Sequence, residues 1–137
     1  MTIVDRKSRF TLLGKAKNKS QEVVTEVVKR LLQRLSKALK RTLKLDNGTE
    51  FNGHETIEAA TGVSVYFADP YCSWQRGTNE QTNGVMRYFL PKGTSFETVS
   101  SKRLARIEDL LNSRHRKCLG YRTPAEVIPD VPAALRE

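Results

Sequence analysis

Strand-type and helix-type patterns of apolar residues alternate along this chain of 137 residues. The clearest helical repeat follows Ser20, where apolar side chains recur every three or four positions as far as Leu39. Further helices are predicted over residues 54–60, 78–89 and 101–114, and strands over residues 2–5, 9–17, 42–46 and 63–68. Such alternation is typical of helices packed in layers on a mixed sheet, so the chain is predicted to adopt an α/β fold.

Residues that favour helix ends accompany several of these segments. Ser20 can cap the first helix, and Gly62 suits the left-handed turn that ends a helix. Thr123 followed by Pro124 predicts the start of a short further helix, with the threonine as its cap. In the helix over residues 101–114, one buried face is predicted to consist of Leu104, Ile107, Leu110 and Leu111.

Positive charge dominates the composition. The chain has 24 Lys and Arg against 15 Asp and Glu, a formal net charge of +9 at pH 7, and this excess favours an anionic partner. One basic run without an acid is either a solvated helix face or a phosphate-contacting surface, and its members are Lys29, Arg30, Arg34, Lys37, Lys40, Arg41 and Lys44. A second cluster consists of Arg114, Arg116, Lys117 and Arg122. Neither set offers the combination of Asn, Gln and Arg on an exposed recognition helix that base reading needs, so salt-sensitive, sequence-independent DNA binding is expected.

Several classes of protein are excluded by what the sequence lacks. No run of about eighteen apolar residues occurs, and the first residues do not resemble a secretion signal, which predicts a cytoplasmic protein with no membrane partner. Cys72 and Cys118 are the two cysteines and form no Cys-x-x-Cys motif. Neither a disulfide framework nor a four-ligand zinc site is therefore implied.

Two acidic residues are candidates for catalysis. Asp46 follows a predicted strand, and the carboxyl ends of strands in an open α/β sheet are where ligands bind; the alternative is that Asp46 caps the following turn. Glu80 comes 34 positions later in the first turn of a predicted helix, where it could instead act as a capping partner. Glu80, Asn83 and Arg87 are spaced so that a carboxylate, an amide and a guanidinium share one stripe of that helix.

Five stretches of the sequence carry a resemblance to a known family. They are Val4-Asp5-Arg6-Lys7-Ser8-Arg9, Asp46-Asn47-Gly48-x-Glu50-Phe51, Tyr66-Phe67-Ala68-Asp69-Pro70-Tyr71, Trp74-Gln75-Arg76-Gly77-Thr78-Asn79-Glu80-x-x-Asn83-Gly84, and the stretch from Leu111-Asn112-x-Arg114 to Thr123-Pro124-Ala125-Glu126. Together they cover almost the whole chain in the family's order. The chain resembles the integrase catalytic core of DDE-type transposases and retroviral integrases, and among these the bacterial insertion-sequence transposases of the IS-thirty type.

The resemblance implies both a function and a site. In such enzymes a ribonuclease-H-like sheet carries three carboxylates that hold two Mg²⁺ or Mn²⁺ ions at a DNA phosphodiester, and hard oxygen ligands suit these ions. Asp46 matches the second acid and Glu80 the third, so the chain is expected to be part of a transposase for DNA cleavage and strand transfer. The residues predicted to contact DNA, from the resemblance and from the basic clusters, are Asn83, Arg87, Arg76, Lys37, Lys40, Arg41, Arg116 and Lys117.

One part of the family pattern has no counterpart in this sequence. The family's first catalytic Asp lies in a central strand that precedes the strand ending at Val4, and Asp5 is expected to cap a turn rather than replace it. We therefore expect an incomplete core over residues 1–128 with a tail over 129–137, unable by itself to cut or join DNA. The missing strand leaves two unpaired edges, which predicts homo-oligomers, strand exchange or poor solubility. The alternatives are a DNA-binding or oligomerisation remnant without chemistry, and a metal-dependent ribonuclease-H-like nuclease.

Overall fold

A computed structural model describes residues 1–72 and 77–128 of the chain. Trp74, Arg76 and the predicted tail over 129–137 lie outside the described residues. In chain order the elements are β1 (Thr2–Val4), β2 (Thr11–Leu13), α1 (Gln21–Gln33), β3 (Thr42–Leu45), α2 (His54–Thr61), β4 (Ser64–Phe67), α3 (Gly77–Phe89), α4 (Ser101–Asn112) and α5 (Pro124–Val127). The α/β fold is confirmed at this level, as a mixture of helices and small sheets. None of the helices in the two described ranges has both the length and the apolar character that a bilayer crossing requires.

The described chain divides into two units, of which the first comprises residues 1–15 and 77–128. Its sheet is the antiparallel pair β1 and β2, with Ile3 opposite Leu12. The helix α3 packs on β1, and α4 packs on β2. Asp5 caps the hairpin turn as expected, because its carboxylate accepts hydrogen bonds from the Ser8 backbone N–H at 2.7 Å and from the Ser8 hydroxyl at 2.6 Å. The core of this unit is formed by Leu13, Leu90, Val99, Ile107 and Leu111.

The second unit comprises residues 16–72. Its strands β3 and β4 are parallel, with Leu43 opposite Val65; α2 connects them, and α1 packs on α2. Ser20 caps α1 as predicted, since its hydroxyl accepts a hydrogen bond from the Val23 N–H at 3.4 Å. Gly62 ends α2 in the left-handed conformation, with a φ of +73°. The predicted order of strand, helix and strand over residues 42–68 is therefore confirmed, and the structure shows that the two strands pair in parallel.

Two features of the helices differ from the sequence prediction. The helix α1 ends at Gln33 rather than near Leu39, because Ser36 adopts an extended backbone and residues 37–39 form a separate 3₁₀ turn. On α4, Leu110 is 46% exposed and does not belong to the buried face. That face consists of Ile107, Glu108, Leu111 and Asn112. These positions follow the three- and four-residue spacing of one helix side, whereas Leu110 lies off it.

Polar side chains from neighbouring helices close one edge of each sheet. On β2, the Thr11 N–H donates to Asn112 Oδ1 at 2.8 Å, and the Asn112 amide donates to the Thr11 carbonyl at 2.8 Å. Two residues further along β2, the Leu13 N–H donates to the Glu108 carboxylate at 2.7 Å. On β4, the Val65 N–H donates to the Glu58 carboxylate at 2.7 Å. Each of the four strands has a single strand neighbour within the described residues.

Candidate functional site

Asp46 follows β3 directly, at the carboxyl end of the parallel pair. Two hydrogen bonds tie the strand ends together: the Ala68 N–H donates to the Leu45 carbonyl at 2.8 Å, and the Asn47 side-chain amide donates to the Ala68 carbonyl. Asp46 itself is half-buried. The prediction that Asp46 lies where a strand ends is confirmed, and a fixed strand end gives its carboxylate a more defined position than a loop does.

Glu80 lies in the first turn of α3 and is exposed. Asn83 and Arg87, which share its stripe by spacing, are exposed as well. Another side of α3 is packed, since Thr82 is 7% exposed and its hydroxyl donates to the Thr78 carbonyl at 3.0 Å. The helix therefore presents a carboxylate, an amide and a guanidinium together at its surface, which are groups suited to a metal ion and to phosphate oxygens.

Asp46 and Glu80 lie in different units of the chain, Asp46 in the second and Glu80 in the first. Each carboxylate offers the hard oxygen atoms that Mg²⁺ and Mn²⁺ bind. In the part of the chain that the structure describes, no group of three or more His, Cys, Asp or Glu side chains is gathered as a metal site. A metal site shared by the two carboxylates and a third acid stays a prediction.

The basic run of the second unit covers the end of α1, the 3₁₀ turn that follows it and the start of β3. Lys37 and Arg41 are exposed, and Lys40 is half-buried. Lys29 forms a salt bridge with Glu26 at 3.0 Å, and an exposed pair of this kind contributes little to stability. Three of the residues predicted to contact DNA, Lys37, Lys40 and Arg41, thus occupy one short segment with accessible positive charge, as phosphate binding requires.

Arg116 and Lys117 lie in the segment after α4, beside a cavity of about 390 Å³. Arg9 also lines this cavity, although it is not among the residues predicted to contact DNA. It lies in the β1–β2 hairpin, and its guanidinium donates to the Thr78 hydroxyl. Burial lowers the pKa of the Arg116 guanidinium, and the nearby charges of Arg114 and Arg9 lower it further. The full lining of the cavity is Arg9, Gln81, Thr82, Arg116, Lys117 and Cys118.

Comparison with known proteins finds transposases of insertion sequences over most of the chain. The chain is 43% identical over 131 residues to the transposase for insertion sequence element IS1086 of Cupriavidus metallidurans, a match that covers 96% of the chain and 39% of the relative. It is 39% identical over 127 residues to the transposase InsI for insertion sequence element IS30A of Escherichia coli, covering 93% of the chain and 33% of that protein. A transposase for element IS4351 of Bacteroides fragilis is 49% identical over 85 residues, covering 62% of the chain and 26% of that relative. No family model matches the chain.

These matches make the chain a homologue of insertion-sequence transposases. Within that class it is related to the transposases of the IS30 type, and the resemblance found in the sequence is confirmed. The chain spans about two-fifths or less of the length of the curated relatives it matches.

Proposed function

We propose that this chain forms part of a transposase core, which cleaves DNA strands and joins them to new partners. The observation that carries the proposal is the 43% identity over 131 residues with a transposase, a match long enough to include both Asp46 and Glu80. Their positions support it, because a strand end and an exposed helix face are places from which carboxylates can reach an external substrate.

We assign Asp46 and Glu80 as two of three carboxylate ligands for a pair of divalent cations, Mg²⁺ or Mn²⁺. When bound, such cations supply Lewis-acid stabilisation of the oxygens in an in-line displacement at phosphorus. Asp46 and Glu80 would hold the cations. Asn83 and Arg87, on the same helix stripe as Glu80, contact the DNA backbone. Amides and guanidinium groups bond to phosphate oxygens without reading sequence. The basic segment Lys37, Lys40 and Arg41 adds charge that favours any DNA sequence equally.

The ribonuclease-H-like sheet and the homo-oligomer belong to the same proposal. An antiparallel hairpin followed by a parallel β–α–β unit is compatible with such a sheet. Helix side chains already bond to the outer edge of β2 and to one N–H of β4. We expect β1 and β3 to gain a further neighbour, from a longer chain or from a second copy. For residues 1–137 alone we predict oligomers in analytical ultracentrifugation, and a monodisperse monomer contradicts that prediction.

The functional proposal is tested by placing this chain inside a complete relative. In the Cupriavidus metallidurans transposase, the matching segment is replaced by the corresponding residues of this chain, and the chimera is incubated with Mn²⁺ and DNA that carries the ends of element IS1086. Joined DNA strands on a product gel are the expected result. The isolated chain supplies only two of the three assigned acids, so residues 1–137 alone are expected to join nothing.

The products separate this function from its rivals. DNA that is cut but never joined favours a metal-dependent nuclease of the ribonuclease-H-like kind. DNA that is bound but neither cut nor joined by the chimera favours a binding or oligomerisation module without chemistry. The unaltered relative, assayed in parallel, shows that the DNA and the conditions support joining.

A further inference from the structure

A basic cavity lies within the first unit, beside α3. Three separate segments line it: the β1–β2 hairpin supplies Arg9, α3 supplies Gln81 and Thr82, and the segment after α4 supplies Arg116 and Lys117. Its volume of about 390 Å³ leaves room for a phosphate group, since pockets of this size hold whole small ligands. None of the described residues that line it is acidic.

Three positively charged side chains line this cavity. Within residues 1–72 and 77–128, Arg9, Arg116 and Lys117 form no salt bridge with a carboxylate. The Nε atom of Arg116 is buried and has no hydrogen-bond partner in the described part of the chain, although a buried polar atom ordinarily has one. Another nitrogen of the same guanidinium, Nη2, donates to the Leu111 carbonyl at 3.4 Å. An anion in the cavity supplies the missing negative charge.

Backbone hydrogen bonds fix the two turns that carry Arg9 and Arg116. Arg9 has a φ of +62°, in the left-handed region that residues other than glycine rarely adopt, and its N–H donates to the Asp5 carbonyl at 2.8 Å. The Arg116 N–H donates to the Arg122 carbonyl at 3.0 Å across a second tight turn. Glycine fits a positive φ without strain, so the Arg9 turn gains nothing from an arginine. The Arg9 guanidinium donates to the Thr78 hydroxyl, and Arg9 lines the cavity.

We propose that Arg9, Arg116 and Lys117 hold a backbone phosphate of duplex DNA in this cavity. The inference rests on the proposed function, which supplies the DNA. Guanidinium groups match phosphate oxygens in a two-pronged geometry, and a lysine adds a point charge. The α3 residues of the cavity directly follow Glu80 in the sequence, so a phosphate held there lies near the same turn of α3 as that carboxylate. The cavity positions the DNA and does not touch the reacting atoms.

The test compares the DNA affinity of two double variants of the full chain. Arg9→Gly with Arg116→Gln removes both guanidinium groups, and glycine suits the backbone at position 9. Lys102→Gln with Arg106→Gln removes equal charge from exposed positions of α4 that do not line the cavity. In fluorescence anisotropy with a labelled duplex, the cavity variant is expected to bind roughly tenfold more weakly, and its salt slope to fall by about 0.9 per lost phosphate contact. Equal affinities of the two double variants overturn the proposal.

Side-chain NMR distinguishes binding of a DNA backbone phosphate from binding of free phosphate. It also uses the unsubstituted chain, so its result does not depend on the folding of a variant. In the unsubstituted chain, the Nε–Hε signal of Arg116 is expected to shift when the duplex is added, and this shift is expected to be lost in Arg9→Gly. A shift caused by inorganic phosphate but not by the duplex makes the cavity a free-anion site and overturns the DNA assignment. Both measurements are made in EDTA, so a failure of the metal site proposed at Asp46 and Glu80 leaves them unaffected.

Discussion

Replacing Glu80 by Gln in the transposase chimera is expected to reduce strand joining by about 10³-fold, because each tenfold costs 1.36 kcal/mol and a catalytic metal ion contributes several kcal/mol. Asp46→Asn is expected to have an effect of the same size. Both substitutions keep the shape of the side chain and remove its charge, so the loss comes from the ligand and not from packing. The measurement is the initial rate of joined product at saturating Mn²⁺.

Two matched variants control for the loss of any acidic charge. Glu55 is exposed on α2 of the second unit, and Glu97 is exposed in the first unit. Glu55→Gln and Glu97→Gln are each expected to keep the joining rate within about twofold, since surface substitutions away from a site have small effects. If Glu80→Gln joins DNA as fast as Glu97→Gln, Glu80 is not a metal ligand.

Replacing Asn112 by Ala is expected to destabilise the first unit by about 3 kcal/mol, which is the largest effect on folding that we predict. Asn112 is 5% exposed and Thr11 is fully buried, and the side chain bonds to both the N–H and the carbonyl of Thr11 at 2.8 Å. Removing it leaves two buried peptide groups of β2 without partners. Thermal unfolding followed by circular dichroism is expected to show a fall in Tm of roughly 10 °C.

The control for this change lies on the same helix. Asp109 is exposed, so Asp109→Ala changes a neighbouring side chain of α4 without opening the β2 edge. Its unfolding free energy is expected to stay within about 0.5 kcal/mol of the unsubstituted chain. An Asn112→Ala protein that is equally stable shows that the two hydrogen bonds to Thr11 do not matter for the fold.

Apolar periodicity predicted most of the helices and strands. It failed where a polar side chain occupies a buried position. The spacing on α4 correctly included Ile107 and Leu111, but it placed Leu110 in the buried face and left out Asn112. A polar side chain can occupy a core position when a strand edge offers it hydrogen bonds, and the sequence of one helix does not display that edge. The early end of α1 is a separate case, because the helix ends at Gln33 and the backbone is extended at Ser36 while the apolar pattern continues.

Some features of the candidate site depend on neighbouring residues in the sequence, and others depend on contacts between residues far apart in it. The strand end before Asp46 and the exposed stripe that begins at Glu80 follow from a few neighbouring residues, and both were predicted. Arg9 was missed because its partner Arg116 is far along the chain and only folding brings the two charges near each other. A usable signal existed, since Arg9 closes the first of the stretches that match the transposase family.

The most direct test of the proposed metal site is whether Mn²⁺ affects the surroundings of Asp46 and Glu80 together. Paramagnetic Mn²⁺ broadens the NMR signals of nearby nuclei, and the amides of Asn47 and Gln81 directly follow the two acids. In a titration of residues 1–137, we predict that both amide signals broaden at the same Mn²⁺ concentration and that Glu80→Gln weakens the effect at both positions. Broadening at Asn47 with an unchanged signal at Gln81, or the reverse, contradicts a site shared by the two carboxylates.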